Sequence, residues 1–272
     1  MQRIQQEKVQ RDSNDRPLIN GKPYTRVSTL AKTLDDTQNL QTWSNRMTAL
    51  GVAQHPTLAT ELVDKTPDDK KHVDRIVEQA KQHMDANKGA RKGTNIHYIT
   101  ELLDYGESTA DVDEEDLADA RAYQVAARTL NMEPVAAECF VANIHVRAAG
   151  TFDRLMLHNI GYVVTDIKTG NSPDPKYASR YNSLAWSMQL ATYANAQPWS
   201  NGFLRWEDWG FATPYTRFGV VWYIPRGSGV CYPIRVDLEA GWAAARLAAQ
   251  VLQTRRVNTA TRIYPPCGPA EK

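Results

Sequence analysis

The sequence predicts a mixed α/β (α+β) fold, with a mixed central sheet flanked by helices and a helical N-terminal region. Two observations support this prediction. Apolar residues recur at helical spacing up to about residue 130, and residues 135–168 then show three consecutive strand patterns, followed by a helix, two strands and a helix. With 42% apolar and 23% charged residues among 272, the composition excludes global disorder and collagen-like repetition.

Helix signals come first along the chain and assign residues 1–90 to the helical N-terminal region. Three helices are predicted there, over 28–34, over 40–50 with an end near Gly51, and from Pro67 to a stop at Gly89. In each, apolar residues recur every three or four positions.

A core is predicted over residues 91–255 and a C-terminal tail over 256–272. The first helix of the core is predicted to have Thr94 as N-cap and to end before Gly106. A second helix is predicted to begin in the acidic run 111–119 and to end near Leu130. The later elements are predicted by their periodicity: strands 135–146, 151–157, 162–168, 217–224 and 230–236, and helices 181–196 and 238–252.

Cysteine count, apolar run length and chain start indicate a reduced, cytoplasmic protein without membrane contact. Cys139, Cys231 and Cys267 are too few and too scattered for a disulfide framework or a zinc ribbon. The apolar stretch 218–224 is far too short to cross a bilayer, and Met1–Asp12 lacks the apolar core of a secretory signal. A net charge of +1 neither requires nor excludes a nucleic-acid partner.

A predicted hairpin carries the most informative charges. If His158 and Gly161 close a two-residue loop, residue n pairs with residue 319 − n, and Asp153 lies opposite Asp166. The period of two places Lys168 on the face of Asp166. Two opposed carboxylates repel each other, so they require a cation or a proton. Two interpretations remain open: a structural Asp–Lys pair, or a site for Mg²⁺ or Mn²⁺.

His97 favours the metal interpretation. It is expected at about the third position of its helix, where the helix dipole disfavours imidazolium and leaves the neutral form that binds metals. Glu101, one turn later on the same face, is a second candidate.

Four short motifs follow one another along the core. They are Gly93-Thr-Asn-Ile-His97, Gly150-Thr-Phe-Asp153, Asp166-Ile-Lys168-Thr-Gly170 and Gln189-Leu-Ala-Thr-Tyr193. In this order, on fitting elements, they resemble the PD-(D/E)XK nuclease superfamily, and specifically its RecB-type exonuclease branch. The resemblance covers roughly residues 90–225 and implies the superfamily's restriction-endonuclease-like core.

The resemblance implies roles for these residues. His97, Asp153 and Asp166, helped by the backbone carbonyl of Ile167, would hold Mg²⁺ or Mn²⁺, and Lys168 would orient or activate the attacking water. The catalytic set is thus Asp153, Asp166 and Lys168. Gln189 and Tyr193 would contact DNA or brace the site, and Glu138 is a further acid near it.

The implied substrate is DNA, single- or double-stranded. Basic residues around the motifs would contact phosphates, and aromatic residues among them could stack on unpaired bases. The basic residues are Lys88, Arg91, Lys92, Lys176 and Arg180, and the aromatic ones are Tyr177, Tyr181 and Trp186.

The resemblance implies a metal-dependent DNA exonuclease for recombination, repair or replication, and it allows a phage origin with a host-cytoplasm location. A recombination or single-strand-binding protein is an allowed partner. The alternatives are an endonuclease of the same fold and a catalytically silent nucleic-acid-binding protein.

One departure concerns the iron–sulfur cluster of some relatives, which needs four cysteines. Three cysteines cannot build it, so no cluster is expected. The Trp-rich segment Trp199–Trp209 is a candidate to replace it in pinning the strand end.

Overall fold

The computed structural model describes residues 1, 3–35, 38–85 and 88–257, and the side chains of all of these except 88–92. The predicted tail therefore lies outside the described residues from position 258 onward, together with Cys267. The side chains of Lys88, Arg91 and Lys92 also lie outside the description.

Eight α-helices and two short 3₁₀ helices are described. The α-helices are α1 (Val27–Ala31), α2 (Gln38–Gln54), α3 (Pro56–Leu62), α4 (Lys70–His83), α5 (Lys88–Tyr105), α6 (Glu114–Thr129), α7 (Pro175–Ala194) and α8 (Leu238–Thr254). The 3₁₀ helices are Lys32–Leu34 and Trp206–Trp209. Asp113, Asp174 and Asp237 cap α6, α7 and α8 by accepting backbone N–H bonds in the first turn.

Most of the nine described strands form one mixed sheet. The strands are β1 (Leu18–Ile19), β2 (Lys22–Pro23), β3 (Thr25–Arg26), β4 (Glu133–Asn143), β5 (Ala148–His158), β6 (Gly161–Gly170), β7 (Gln197–Pro198), β8 (Phe218–Pro225) and β9 (Tyr232–Asp237). The sheet order is β7-β4-β5-β6-β8-β9, with β3 on β5, while β1 and β2 form a separate hairpin. The β6–β8 and β3–β5 pairs are parallel and the others antiparallel, as the predicted mixed sheet requires.

Helices cover both faces of this sheet. One face packs against α1, α7 and α8 in a large cluster that includes Leu155 and Val164. The other face packs against α5 and α6 in a cluster that includes Met156, Val163 and Trp222. The hairpin strands β5 and β6 are thus buried on both sides, and any charge on them must be matched locally.

Several predicted helix boundaries are wrong. Helix α2 continues past Gly51, because this glycine permits a close crossing: a Cβ there would lie 2.2 Å from the Ala80 carbonyl oxygen of α4. Helix α4 ends at His83, and Gly89 belongs to the first turn of α5. Helix α3 was not predicted, and α7 begins six residues before the predicted start, at a Pro that follows its Asp174 cap.

The revised start of α5 changes the position of His97. The helix begins at Lys88, so Thr94 is inside it rather than its N-cap, and His97 is its tenth residue rather than about its third. The unpaired amides of a helix N-terminus are therefore not what surrounds this imidazole. The end of the helix is as predicted, with Gly106 in the left-handed conformation at φ 70°.

Candidate active site

The β5–β6 hairpin has the predicted register. The ladder runs from His158↔Gly161 to Arg154↔Thr165, and within it each residue n pairs with residue 319 − n. It ends before the predicted pair of Asp153 and Asp166. One step beyond the last pair, the Asp153 carboxylate accepts the backbone N–H of Ile167 across the gap, at 2.7 Å from nitrogen to Oδ2. This bond holds Asp153 at the point where β5 and β6 separate.

Strand β5 changes face at Asp153. Phe152 and Leu155 lie three residues apart yet pack into the same cluster, although an uninterrupted strand alternates faces with a period of two. Paired strand β4 changes phase at the same level, because Ala136 and Cys139 also share that cluster. Glu138 lies between them with φ 51°, a left-handed value that is uncommon outside glycine. These shifts bring the Glu138 and Asp153 carboxylates together.

His97, Glu138 and Asp153 form a group that could hold a metal ion. Within the described residues, one ligand atom from each lies within 4.8 Å of the others. The Nδ1 atom of His97 is 3.2 Å from Oδ2 of Asp153. These three side chains could therefore converge on one Mg²⁺ or Mn²⁺ ion, which prefers such hard ligands. Two carboxylates and an imidazole suit Mn²⁺ as well as Mg²⁺.

Electrostatics at Glu138 also fit a cation. The pKa of Glu138 is raised to about 7, first by burial and then by the Asp153 carboxylate, while the Arg154 guanidinium opposes the rise. Its Oε1 atom is 3.7 Å from Nη1 of Arg154, which is too far for a hydrogen bond. A divalent ion between the carboxylates would supply the missing positive charge.

Asp166 and Lys168 form a second unit beside this group. Nζ of Lys168 is 2.5 Å from Oδ2 of Asp166, and Nε2 of Gln189 donates to Oδ1 of Asp166 at 3.1 Å. Burial, followed by repulsion from Asp153, raises the pKa of Asp166. Burial would lower the pKa of Lys168, but the Asp166 and Asp153 carboxylates outweigh it and raise that pKa. The predicted Asp–Lys pair and the three-ligand group therefore coexist as neighbours.

Tyr193, from the Gln–Tyr motif on α7, packs against strand β5 at Gly150. Its side chain is buried, and a Cβ added at Gly150 would lie 3.1 Å from its hydroxyl oxygen. The absence of a side chain at Gly150 thus makes room for Tyr193. Burial raises the pKa of Tyr193 well above its usual range. Its ring packs against Phe152, which also packs against Trp206 of the Trp-rich segment.

The glycine of the first motif allows a close approach between α5 and β6. A Cβ at Gly93 would lie 2.9 Å from Oγ1 of Thr169. Further along α5, Thr100 and Asp104 receive hydrogen bonds from the buried side chain of Arg154, at 3.2 and 2.7 Å. Tyr123 of α6 also donates to Asp104, at 3.1 Å. These contacts fix the helix of His97 against the strand of Asp153.

Gln6 clamps the backbone at Glu138. Its Nε2 donates to the carbonyl oxygen of Glu138 at 2.5 Å, and its Oε1 accepts the N–H of Phe140 at 2.7 Å. The side-chain amide of Gln6 thus provides hydrogen-bond partners for the Glu138 carbonyl and the Phe140 N–H, at the phase shift in β4. An N-terminal residue thereby supports the conformation of a candidate metal ligand.

The candidate ligands open into a cleft of about 950 Å³. It is bounded by α5, by the middle of β4 and β5, by the last residues of β6, and by basic and exposed apolar side chains from elsewhere. The side chains from elsewhere are those of Lys32, Leu40 and Arg226, and Tyr98 and Glu101 of α5 also line the cleft. A cleft of this size, lined by lysine and arginine side chains as well as by carboxylates, fits a phosphodiester strand held against a bound cation.

Other predicted residues lie away from the cleft or outside the description. Lys176 and Arg180 are exposed on the first turns of α7 but do not line the cleft. Trp186 packs in the core against Tyr223, so it is not a stacking residue, and that interpretation of it is wrong. Predictions for the side chains of Lys88, Arg91 and Lys92 fall outside the described residues.

Glu138 was predicted only as a further acid near the site, whereas the structure places it in the candidate metal-binding group. The signal for it was a single carboxylate inside the apolar run 135–142, in a strand buried on both faces. Gln6, Asp104 and Arg154 carried no local signal, because their roles depend on contacts far apart in sequence.

The family model of the PD-(D/E)XK nuclease superfamily matches residues 33–197, which is more than half of the chain. A comparison with curated proteins found no match. None of the described helices combines the length and the apolar character needed to cross a lipid bilayer.

Proposed function

This chain belongs to the PD-(D/E)XK nuclease superfamily, and from that premise we propose that it is a metal-dependent DNA exonuclease. It would hydrolyse phosphodiester bonds at strand ends and leave a 5′-phosphate and a 3′-hydroxyl, in recombination, repair or replication. The observation that carries the proposal is the convergence of His97, Glu138 and Asp153 beside the Asp166–Lys168 pair. In the proposed function these residues would serve as the metal ligands and as the lysine that activates water, within one cleft.

His97, Asp153 and Glu138 would hold the metal, with Asp166 and the carbonyl of Ile167 as the ligands implied by the motif. When bound, a divalent ion polarises the scissile phosphate and lowers the pKa of water beside it. Lys168 would donate to the attacking water and to the developing negative charge on the phosphate. Asp166 holds the ammonium group of Lys168 in place, and Gln189 holds Asp166.

Exonuclease rather than endonuclease action is proposed because the four motifs resemble those of the RecB-type branch, and residues of the first three motifs line one cleft. The histidine lies on α5, the two aspartates and the lysine lie on β5 and β6, and the Gln–Tyr pair lies on α7. Lys176 and Arg180, together with Arg91 and Lys92, are proposed to guide the phosphate backbone toward the cleft. A recombination or single-strand-binding protein is a proposed partner that would deliver such ends.

The test uses end-labelled linear DNA, single- and double-stranded, and a closed circle, each with EDTA, Mg²⁺ or Mn²⁺. Wild type is compared with Asp166→Ala, and with Asp111→Ala, an exposed aspartate far from the motifs, as the matched control. Metal-dependent loss of linear DNA that spares the circle, persists in Asp111→Ala and vanishes in Asp166→Ala supports an exonuclease. Cutting of the circle assigns an endonuclease, and binding without cleavage assigns a silent binder.

A further inference from the structure

The first turns of α7 carry two exposed tyrosines. Tyr177 and Tyr181 are 59% and 58% exposed, whereas Trp186 and Tyr193, further along the same helix, are buried. Large aromatic side chains normally bury most of their surface. Two exposed ones a single turn apart therefore indicate a surface that receives something from outside.

The two rings form one platform. Their centroids are 5.0 Å apart and their planes are inclined by 59°. Leu184, which is 46% exposed, extends the apolar stripe by one turn. We call Tyr177, Tyr181 and Leu184 the α7 face.

Basic side chains border the α7 face. Lys176 and Arg180 are exposed, and Cζ of Arg180 is 5.8 Å from the centroid of the Tyr181 ring. The carboxylate of Asp174, the N-cap of α7, accepts the backbone N–H of Lys176, and no other Asp or Glu occurs up to residue 196. In the part of the chain that the structure describes, no carboxylate forms an ion pair with either cation. The surface therefore complements an anion that also offers flat, unpaired rings.

The α7 face lies within reach of the candidate active site. Gln189, which bonds Asp166, follows Tyr181 by eight residues on α7, or about 12 Å at the helical rise. Helix α7 follows β6 after a short loop, so its first turns extend beyond the strand end that carries Lys168. A stacked strand would cover about 12 Å in three or four nucleotides at roughly 3.4 Å each.

We propose that the α7 face binds single-stranded nucleic acid, with bases stacked on Tyr177 and Tyr181 and phosphates against Lys176 and Arg180. The proposal rests on the nuclease function and names the substrate class of the same site: a strand with unpaired bases. A duplex keeps its bases stacked inside and cannot present their faces to the tyrosines. Stacking is sequence-tolerant, so the strand would be bound without base preference.

Fluorescence anisotropy on the full chain in EDTA tests this without cleavage. The probes are an oligothymidylate and an oligouridylate of about 20 nucleotides and a DNA duplex of the same length. The variants are Tyr177→Ala/Tyr181→Ala and, as the conservative rescue, Tyr177→Phe/Tyr181→Phe. We expect the alanine pair to weaken single-strand binding by roughly tenfold or more and duplex binding by less than about twofold, and the phenylalanine pair to retain both.

If the alanine pair weakens binding of the oligothymidylate alone, the α7 face is assigned to DNA. If it weakens binding of the oligouridylate alone, the face is assigned to RNA. Wild-type affinity in the alanine pair, equal losses on single strand and duplex, or no single-strand binding by wild type would overturn the proposal. A loss in the phenylalanine pair as large as that in the alanine pair would also do so. Equal melting temperatures in the variants establish that they remain folded.

Salt dependence tests the basic border separately. Removing both charges in Lys176→Ala/Arg180→Ala should reduce the slope of log affinity against log salt by about 1.4, for two phosphate contacts on a single strand. Arg128→Ala, an exposed position on α6 across the sheet, should leave the slope unchanged. An unchanged slope in the double variant would contradict the assigned phosphate contacts.

Hydrolysis of labelled DNA with Mg²⁺, measured on the same preparations, separates the two proposals. Cleavage by wild type together with tyrosine-independent binding refutes the α7 face and leaves the nuclease function standing. Tyrosine-dependent binding without cleavage refutes the nuclease function and leaves the binding face standing.

Discussion

Arg154 and Asp104 form a buried ion pair that ties strand β5 to helix α5, with Nε 2.7 Å from Oδ2. Arg154 follows Asp153 directly on β5 and donates to the Asp153 carbonyl at 2.8 Å, while Asp104 lies two turns after His97 on α5. The ion pair therefore sets the spacing of helix and strand. That spacing in turn sets the 3.2 Å contact between His97 and Asp153.

Arg154→Leu should destabilise the protein strongly, because it leaves Asp104 buried and unpaired. Removing one partner of such a pair costs about 3–5 kcal/mol, measured as the free energy of unfolding in urea. We also expect weaker Mn²⁺ binding in the fraction that remains folded. Arg246→Ala, at an exposed arginine of α8, is the matched control and should change both quantities little. Equal stability of Arg154→Leu and wild type would contradict the proposed role of the Arg154–Asp104 ion pair in holding β5 against α5.

Gln6→Ala should weaken metal binding from a distance. The substitution removes both hydrogen bonds to the β4 backbone and costs roughly 1–3 kcal/mol of stability. It also releases Glu138 from its left-handed conformation, so Mn²⁺ affinity, measured by calorimetric titration, should fall. Gln5→Ala, at an exposed neighbour, should leave stability and affinity unchanged. Retained Mn²⁺ affinity in Gln6→Ala would show that metal binding by Glu138 does not depend on the hydrogen bonds from Gln6.

The register of the β5–β6 hairpin could be predicted out to Arg154↔Thr165, because a two-residue turn fixes the register of the pairs that follow it. The order of helices and strands along the chain and the four motifs could also be predicted, because they depend on local sequence. The face change at Glu138 could not be predicted, since it depends on a left-handed residue and on Gln6, 132 positions earlier. The start of α5 was also missed, because Gly89 and Gly93 look like helix breakers. Gly93 is tolerated inside the helix because it permits contact with Thr169.

Glu138→Gln should stabilise the metal-free protein at high pH. The pKa of Glu138 rises from its ordinary 4.5 to about 7 on folding, so the folded state binds more protons between these values. Its contribution to stability is complete below about pH 4.5 and is lost as the pH rises through 7. We expect Glu138→Gln in EDTA to melt roughly 1–3 °C above wild type at pH 8, and to show no such gain at pH 4.5.

The matched control for this comparison is Glu133→Gln, at an exposed glutamate of the same strand. Its melting temperature should follow that of wild type at both pH values. A gain for Glu138→Gln that is equal at both pH values would refute the role of proton binding. Saturating Mn²⁺ should reverse the order at pH 8, because wild type binds the ion more tightly.

Lys168→Met should separate chemistry from metal binding. Loss of the ammonium group removes a donor to water and to phosphate charge, so hydrolysis of labelled DNA should fall by about 100-fold or more. Mn²⁺ affinity should be unchanged or higher, since a neighbouring positive charge is lost. Lys168→Arg should not restore the rate, because a planar guanidinium cannot replace a point donor beside Asp166. Wild-type cleavage by Lys168→Met, or loss of its Mn²⁺ binding, would contradict this division of roles.

The central claim is that His97, Glu138 and Asp153 hold the ion that hydrolysis requires. Its most direct test titrates Mn²⁺ into metal-free wild type, Asp153→Asn and the control Asp111→Asn by calorimetry, with cleavage of end-labelled linear DNA followed in the same samples. We expect wild type and Asp111→Asn to bind Mn²⁺ and to cleave, and Asp153→Asn to lose both. Wild-type Mn²⁺ affinity and cleavage in Asp153→Asn would contradict the claim.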